Sequence, residues 1–316
     1  MSFVNALCFQ GRTLMTMAKK EQWDTRLMLD QSGKVAIVTG ATSGLGYETA
    51  RALAGKGARM IIAARDTAKG EGAKEKLKKE YPGADVAVMK LDLADLRSVR
   101  KFSDDFSKRY SRLDLLINNA GVMAPPHGKT ADGFELQFGT NHLGHFALTI
   151  LLFDMLKQVP GSRVVTVSSG AHAFGVLDFD DLNWEKRKYN KWQAYGDSKL
   201  ANLYFTRELQ RLLDQAGVNV LSVAAHPGWA ATELQRYQGW LVLLNSFFAQ
   251  PPGMGALPTL YAATAPDVHG GDFFGPDGFG EMRGYPVKVQ SSRRSRDMDA
   301  ARKLWEVSEK MTGIRW

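Results

Sequence analysis

Short apolar runs rich in β-branched residues alternate with longer stretches of mixed polarity along most of the chain. Val35–Val38, Met60–Ala63, Val86–Met89, Leu115–Ile117, Val164–Val167 and Val220–Val223 have the length and composition of buried strands. Helical patterns fall between them at Tyr47–Ala54, Ala68–Glu80, Leu96–Tyr110, 134–157 and 195–213. Within the third of these, Val99, Phe102 and Phe106 recur at helical spacing. Uniformly apolar strands alternating with helices predict an α/β fold, a doubly wound parallel sheet with helices on both faces. No repeat or second pattern interrupts it, so 34–316 reads as one domain. Residues 1–33 are polar, irregular and methionine-rich and read as an N-terminal extension, with Met15 and Met17 as alternative starts. After Pro227 the pattern loosens, and the Trp-, Phe-, Gly- and Pro-rich stretch at about 229–290 reads as a region that covers a substrate.

Composition narrows the class. With 316 residues, 44% hydrophobic and 23% charged, the chain can bury a large core, and disordered or collagen-like proteins are excluded. The single cysteine, Cys8, cannot form an internal disulfide, and a reducing cytoplasm is the simplest home. The first twenty residues lack the basic-then-apolar order of a secretory signal. No apolar run approaches the roughly 18–20 residues of a membrane helix, since Leu241–Leu244 is broken at Asn245 before Phe247 and Phe248. A net charge of +8 favours anionic ligands such as phosphorylated cofactors. The clusters Lys74, Lys76, Lys78, Lys79 and Arg293, Arg294, Arg296 lack the interleaved aromatics of a base-stacking surface and read as solvated faces, with no nucleic-acid partner. His142 and His145 share a helix face without a third ligand or an H-E-x-x-H arrangement, so they read as packing residues and no metal is expected.

The candidate chemistry begins at T-G-A-T-S-G-L-G. A strand ending at Thr39, glycines at 40, 44 and 46, and a helix after them are the parts with which backbone amides and a helix N-terminus hold a pyrophosphate. Gly40, Thr42, Ser43, Gly44, Leu45 and Gly46 are therefore candidate dinucleotide contacts. The spacing is looser than G-x-G-x-x-G, so the flanking strand and helix carry the inference. Arg65 stands 19 positions after Gly46, where an acidic residue would pair with a ribose hydroxyl and an arginine accommodates a 2′-phosphate. NADP(H) is thus expected over NAD(H), with Asp66 the competing partner for Arg65. Asp92, beside Leu93, ends the third strand where a carboxylate can accept from an adenine amino group, or else cap a helix. Asn118-Asn119-Ala120-Gly121 ends the fourth, and its small residues let backbone approach the ribose.

Tyr195 and Lys199 stand at i and i+4, so on a helix they share a face. A nearby ammonium favours phenolate and lowers a phenol pKa that starts near about 10, making Tyr195 a candidate proton exchanger for alcohol and carbonyl oxygens.

With the glycine turn, N-N-A-G, Ser168-Ser169, Tyr195-x-x-x-Lys199 and His226-Pro227-Gly228 in order, the chain resembles the short-chain dehydrogenase/reductase family from about Gly33 to Thr232. A-A-R-D, N-H-L-G-H-F and Y-G-D-S-K-L-A-N resemble its retinol-dehydrogenase-like branch. The resemblance implies a Rossmann sheet of about seven strands and a catalytic tetrad. Asn141 would hold a water in a proton relay, Ser169 would bind the reacting oxygen, and Tyr195 would act as general acid or base. Lys199 would orient the nicotinamide ribose and lower the tyrosine pKa. Asn119, Ala120, Gly121, Pro227, Gly228 and Thr232 would also contact the cofactor. Tyr195 follows Ser169 by 26 positions, about twice the compact spacing, as in that branch; the extra stretch carries Asp178, Asp180, Asp181, Trp184, Tyr189 and Trp192. Trp229, Trp240, Phe247, Phe248, Phe273 and Phe274 either line a lipophilic pocket for a carbonyl or alcohol or pack as core. Family resemblance also implies a homo-oligomer, a dimer or tetramer, with a monomer open. Two competing functions remain: reduction of a carbon–carbon double bond, as in protochlorophyllide reductase relatives, and a non-enzymatic NADP-binding scaffold.

Overall fold

A computed structural model describes residues 22–229 and 250–316. Eight strands form one sheet in the order β3-β2-β1-β4-β5-β6-β7-β8. Seven run parallel: β1 (Val35–Thr39), β2 (Arg59–Ala64), β3 (Val86–Lys90), β4 (Leu115–Asn118), β5 (Ser162–Val167), β6 (Val220–Ala225) and β7 (Phe273–Pro276). The last, β8 (Pro286–Lys288), returns antiparallel along β7.

Successive strand residues face opposite sides, and here both sides are covered, which is why the strands read as unbroken apolar runs. Ala36 and Val38 of β1 enter the layer that contains Leu53 of α1 (Gly44–Gly55) and Leu257 and Leu260 of α8 (Pro252–Thr264). Val35 and Ile37 enter the opposite layer, with Phe102 and Phe106 of α3 (Leu96–Arg109), Phe146 of α5 (Gly144–Leu151) and Phe205 of α7 (Lys191–Ala216). Helix α2 (Thr67–Glu80) buries only Gly70, Ala73 and Leu77, as its charged composition requires. Trp23 packs edge-on against Tyr261 at 5.1 Å and Met28 is buried, so the end of the polar leading segment is seated on the fold.

The helix expected over 134–157 is divided. A single turn α4 (Leu136–Phe138) passes into a π-type turn at Gly139–Leu143, then α5, and then α6 (Phe153–Lys157). Two glycines permit the close approaches at this break: a Cβ on Gly139 would meet Thr130, and one on Gly144 would meet the Leu93 carbonyl. Helix α7 starts earlier than the pattern indicates because the Asn190 side chain accepts from the amides of Trp192 and Gln193. It stops at Gly217, whose φ of 64° is the left-handed conformation common after helices.

The stretch between Ser169 and α7 is fastened by buried polar groups. Asp181 accepts from the amides of Glu185, Lys186 and Arg187, and Trp184 carries the Arg187 guanidinium 3.7 Å over its ring. Asp197 accepts from Val176 N and Gln193 Nε2, both at 2.7 Å. Burial pushes its carboxyl up to about 6. The folded state therefore holds this proton more tightly than the unfolded chain, so the group's stabilising contribution is complete below the ordinary pKa of 3.8 and is lost as pH rises through about 6. Asp197→Asn keeps an accepting oxygen and removes the ionisation cost. Its melting temperature relative to wild type should rise between pH 5 and pH 7.5, by the equivalent of about 1–3 kcal/mol; a difference independent of pH would refute this origin.

Candidate active site

Strand order places β1 beside β4, although the chain proceeds from β1 toward β3 on one side and from β4 toward β8 on the other. At such a switch point the loops leaving the carboxyl ends diverge and open a crevice. One side chain holds its two lips together. Thr39 Oγ accepts from the amides of Asn119 and Ala120, both at 2.9 Å, and contacts His145 Nε2 at 2.9 Å. Asn119 Nδ2 returns a bond to the Thr39 carbonyl at 2.8 Å. Gly40, at φ 67°, lies so near Ala120 that a Cβ would sit 3.0 Å from it. A Cβ on Gly46 would meet the Gly40 carbonyl and the Asn119 side chain. Helix α1 thus presents its N-terminus at the crevice with no acidic residue in its first turn, the electrostatics an anion needs.

The resulting cleft encloses about 1010 Å³. Of the expected cofactor residues, Gly40, Thr42, Ser43, Gly44, Leu45, Gly46, Arg65, Leu93, Asn119, Ala120, Gly121, Tyr195, Lys199, Pro227 and Gly228 line it, as does Ser169. Arg65 makes no ion pair among the described residues, because Asp66 is spent capping α2 on the Lys69 amide at 3.1 Å. Lys69, which sequence reasoning passed over, lines the same end one helical turn further on. Asp92 departs from expectation. It does not line the cleft; its carboxylate accepts from Ala94 N at 3.0 Å, the local capping that competes with ligand binding for any Asp at a strand end. Thr232 lies outside the described residues, as do Trp240, Phe247, Phe248 and Cys8.

Lys199 and Tyr195 are almost fully buried on α7. Ser169 acts on the phenol and holds its pKa down, whereas Ser168 donates to the Lys199 carbonyl at 2.8 Å and is committed there. The expected lowering of the phenol pKa is reversed. Burial pushes Tyr195 up to about 12, opposed by the Ser169 bond. Lys199 Nζ sits 5.8 Å from the ring centroid and donates to the Val167 carbonyl at 3.1 Å, and burial brings its ammonium down to about 8. Desolvation here outweighs the attraction that i,i+4 proximity promises.

Asn141 occupies the π-type turn behind the wall. Its Oδ1 accepts from Val122 N at 2.8 Å, and its Nδ2 donates to the Val122 carbonyl and to Ser198. The Asn141 carbonyl meets His145 Nδ1 at 3.0 Å. A carbonyl only accepts, so Nδ1 carries the proton and Nε2 accepts from Thr39. Burial lowers His145 to about 4, and lowers His142, which contacts Ser308, to about 3; both are neutral packing histidines. The sequence offered no signal for the Thr39–His145–Asn141 connection, because its members lie on three separate elements.

Phe174, Trp192, Trp229, Met123 and Met282 supply apolar surface to the cleft. Trp184 and Tyr189 instead pack on each other at 5.5 Å, with Tyr189 donating to buried Glu135. Phe273 and Phe274 are buried core residues of β7, facing opposite sides of the sheet, and not pocket residues.

The short chain dehydrogenase family model matches residues 34–239, and the chain belongs to that family. It is 44% identical to mouse retinol dehydrogenase 12 over 90% of this chain and 88% of that protein. With human retinol dehydrogenase 13 it shares 42% identity over 89% and 85% of the two chains. A crystal structure of an uncharacterised protein from Mycobacterium paratuberculosis superposes with a TM-score of 0.80 at 44% identity, covering 93% of this chain and 99% of that one. The chain is therefore a dehydrogenase/reductase of the retinol-dehydrogenase-like branch, acting on CH–OH or C=O groups with a nicotinamide dinucleotide.

Gly46→Ala tests the cradle. The methyl group displaces the Gly40 carbonyl or the Asn119 amide, so NADPH titrated by its fluorescence should bind at least about tenfold more weakly to a variant with native circular dichroism, the loss of about one charge-assisted hydrogen bond. Wild-type affinity would show that the glycine turn does not hold the dinucleotide.

Proposed function

We propose that the protein interconverts lipophilic carbonyl compounds and alcohols with NADP(H), Tyr195 being the proton donor in the reductive direction. The single observation that carries this reading is a buried phenol in the same cleft as Ser169, Lys199 and an Arg65 that makes no ion pair among the described residues. The cradle fits a dinucleotide: at Gly40 and Gly46 a Cβ would press on Ala120, the Gly40 carbonyl and the Asn119 side chain, so the glycines let the turn pack closely where it lines the cleft. Gly44–Gly46 would hold the pyrophosphate, Asn119–Gly121 and Lys199 the nicotinamide ribose, and Arg65 with Lys69 the 2′-phosphate. Bound there, NADPH supplies hydride to the carbonyl carbon.

The protein's own share is positioning and proton transfer. Ser169 donates a hydrogen bond to the substrate oxygen, which disfavours any other pose. Tyr195, a phenol at neutral pH that burial holds still more firmly protonated, gives its proton to that oxygen as negative charge develops. Lys199, still mostly ammonium at neutral pH, would return a proton to the phenol, and the Asn141 carbonyl, which also accepts from His145, would accept from a water of that relay. Phe174, Trp192, Trp229 and Met123 exclude water and favour an apolar substrate. The mammalian relatives are named for retinol, which makes retinaldehyde a first probe beside medium-chain aldehydes and sterol ketones.

Tyr195→Phe should lower kcat by about 10²- to 10⁴-fold on whichever carbonyl the wild type reduces, while NADPH binds as before. Full turnover in that variant would end the assignment. Arg65→Asp should raise the NADPH KM by about 10- to 100-fold and leave NADH little affected. An unchanged preference between the two cofactors would remove the basis for NADP(H).

A further inference from the structure

Strand β6 runs out into His226–Trp229, and the connection between β7 and β8 folds back on it. Trp229 N donates to the Met282 carbonyl at 2.7 Å. Gly228 has a φ of 62°, and a Cβ there would meet that same carbonyl. The β7–β8 turn is closed on itself by Asp277 N to Tyr285 O at 2.8 Å and Gly278 N to Arg283 O at 3.0 Å. At its tip Gly280 and Glu281 both adopt left-handed backbone, φ 60° and 55°. That conformation is routine for glycine and strained for glutamate, and it persists only where surroundings impose it.

The imposing group is His226. Its Nε2 lies 2.8 Å from Glu281 Oε2. The Gly228 amide, which can only donate, meets Nδ1 at 3.3 Å, so Nε2 bears the proton and points it at the carboxylate. The His226 ring is 3% exposed and tilts against Phe273 at 5.1 Å. Phe273 in turn receives the His172 ring edge-on at 5.6 Å, and His172 Nδ1 donates to the Ser169 carbonyl at 2.7 Å. A continuous set of contacts thus runs from the serine beside Tyr195 to Glu281. Gly280, Glu281 and Met282 line the cleft that Ser169 and Tyr195 also line.

We infer that Glu281 is a positioning residue: by seating the 277–285 turn on His226 it fixes one wall of the cleft and so selects which carbonyl compounds reach Tyr195. The inference rests on the carbonyl-reducing reading above. The seat requires an acceptor and not a charge, because neutral imidazole already donates from Nε2.

The experiment compares Glu281→Ala and Glu281→Gln with wild type, using nonanal and retinaldehyde as carbonyl probes with NADPH. Glu281→Ala should raise the KM for the probe by about tenfold, with kcat and the NADPH KM each moving less than about threefold. Glu281→Gln should recover most of that loss, since its amide oxygen still accepts from Nε2. His226→Leu should reproduce the alanine phenotype, and the double variant His226→Leu/Glu281→Ala should be no worse than either single change. An independent measurement needs no turnover: limited trypsin digestion should cut at exposed Arg283 faster in Glu281→Ala than in wild type or Glu281→Gln. Unchanged KM together with unchanged cleavage at Arg283 in Glu281→Ala overturns the inference. If the wild type reduces neither probe, the reaction assignment is what fails, and the cleavage rates alone decide whether Glu281 seats the turn.

Discussion

The cleft depends on one hydroxyl. Where the sheet's winding reverses between β1 and β4, strand ends that could splay apart are joined by Thr39, whose oxygen accepts two successive backbone amides and whose proton serves His145. The Ala120 amide gains its partner this way, and the Asn119 amide shares its proton between Thr39 and the Ile117 carbonyl. The same bonds set the path of Asn119–Gly121, so the floor of the cleft is tied to the strand that begins the glycine turn. Through His145 the constraint reaches the Asn141 carbonyl, and through the Asn141 side chain it reaches Val122. Fold and site are therefore not separate achievements of this chain.

Burial acts on every ionisable group around that junction in the same direction, against charge. It raises the phenol of Tyr195 and lowers the ammonium of Lys199 and the imidazoles of His142 and His145. Tyr195 is held as the phenol, while Lys199, brought down only to about 8, stays mostly ammonium at neutral pH. The Lys199 ammonium is held by the Val167 carbonyl, and Ser169 opposes the rise at Tyr195.

Local chemistry was legible from sequence and non-local geometry was not. Six strands, the glycine turn and the Tyr195–Lys199 spacing are each specified within a dozen consecutive residues, so pattern and propensity suffice to find them. Ser169 could be preferred over Ser168 only through family resemblance; the physical reason, that Ser168 is committed to the Lys199 carbonyl, involves a residue thirty positions away. The break at Gly139–Leu143 comes from close approaches to Thr130 and Leu93, neither of which the helical pattern of 134–157 encodes. Asp92 shows the converse. One oxygen of this strand-end aspartate accepts from Ala94 two residues on, a local bond that its position at the end of a strand allows. Strands β7 and β8 escaped notice because they are short and contain Pro276 and Pro286, residues that sequence reasoning assigns to loops.

The two sides of the cleft are built by different means, and this has consequences for how such a protein acquires substrates. The dinucleotide side is made of backbone amides, glycines without room for a Cβ, and one threonine, so nearly any substitution there strains or unseats the main chain. The opposite side is made of side chains drawn from distant parts of the sequence: Phe174 from the long stretch before α7, Trp192 from the first turn of α7, Trp229 after β6, and Met282 and Glu281 after β7. They are held through side-chain contacts such as His226 with Glu281, and not through the sheet's own ladder. Replacing one of them alters shape and polarity while leaving the strands in register. A fold organised this way can conserve its redox chemistry and vary what it reduces, because the constraint at Thr39 protects the first and leaves the second free.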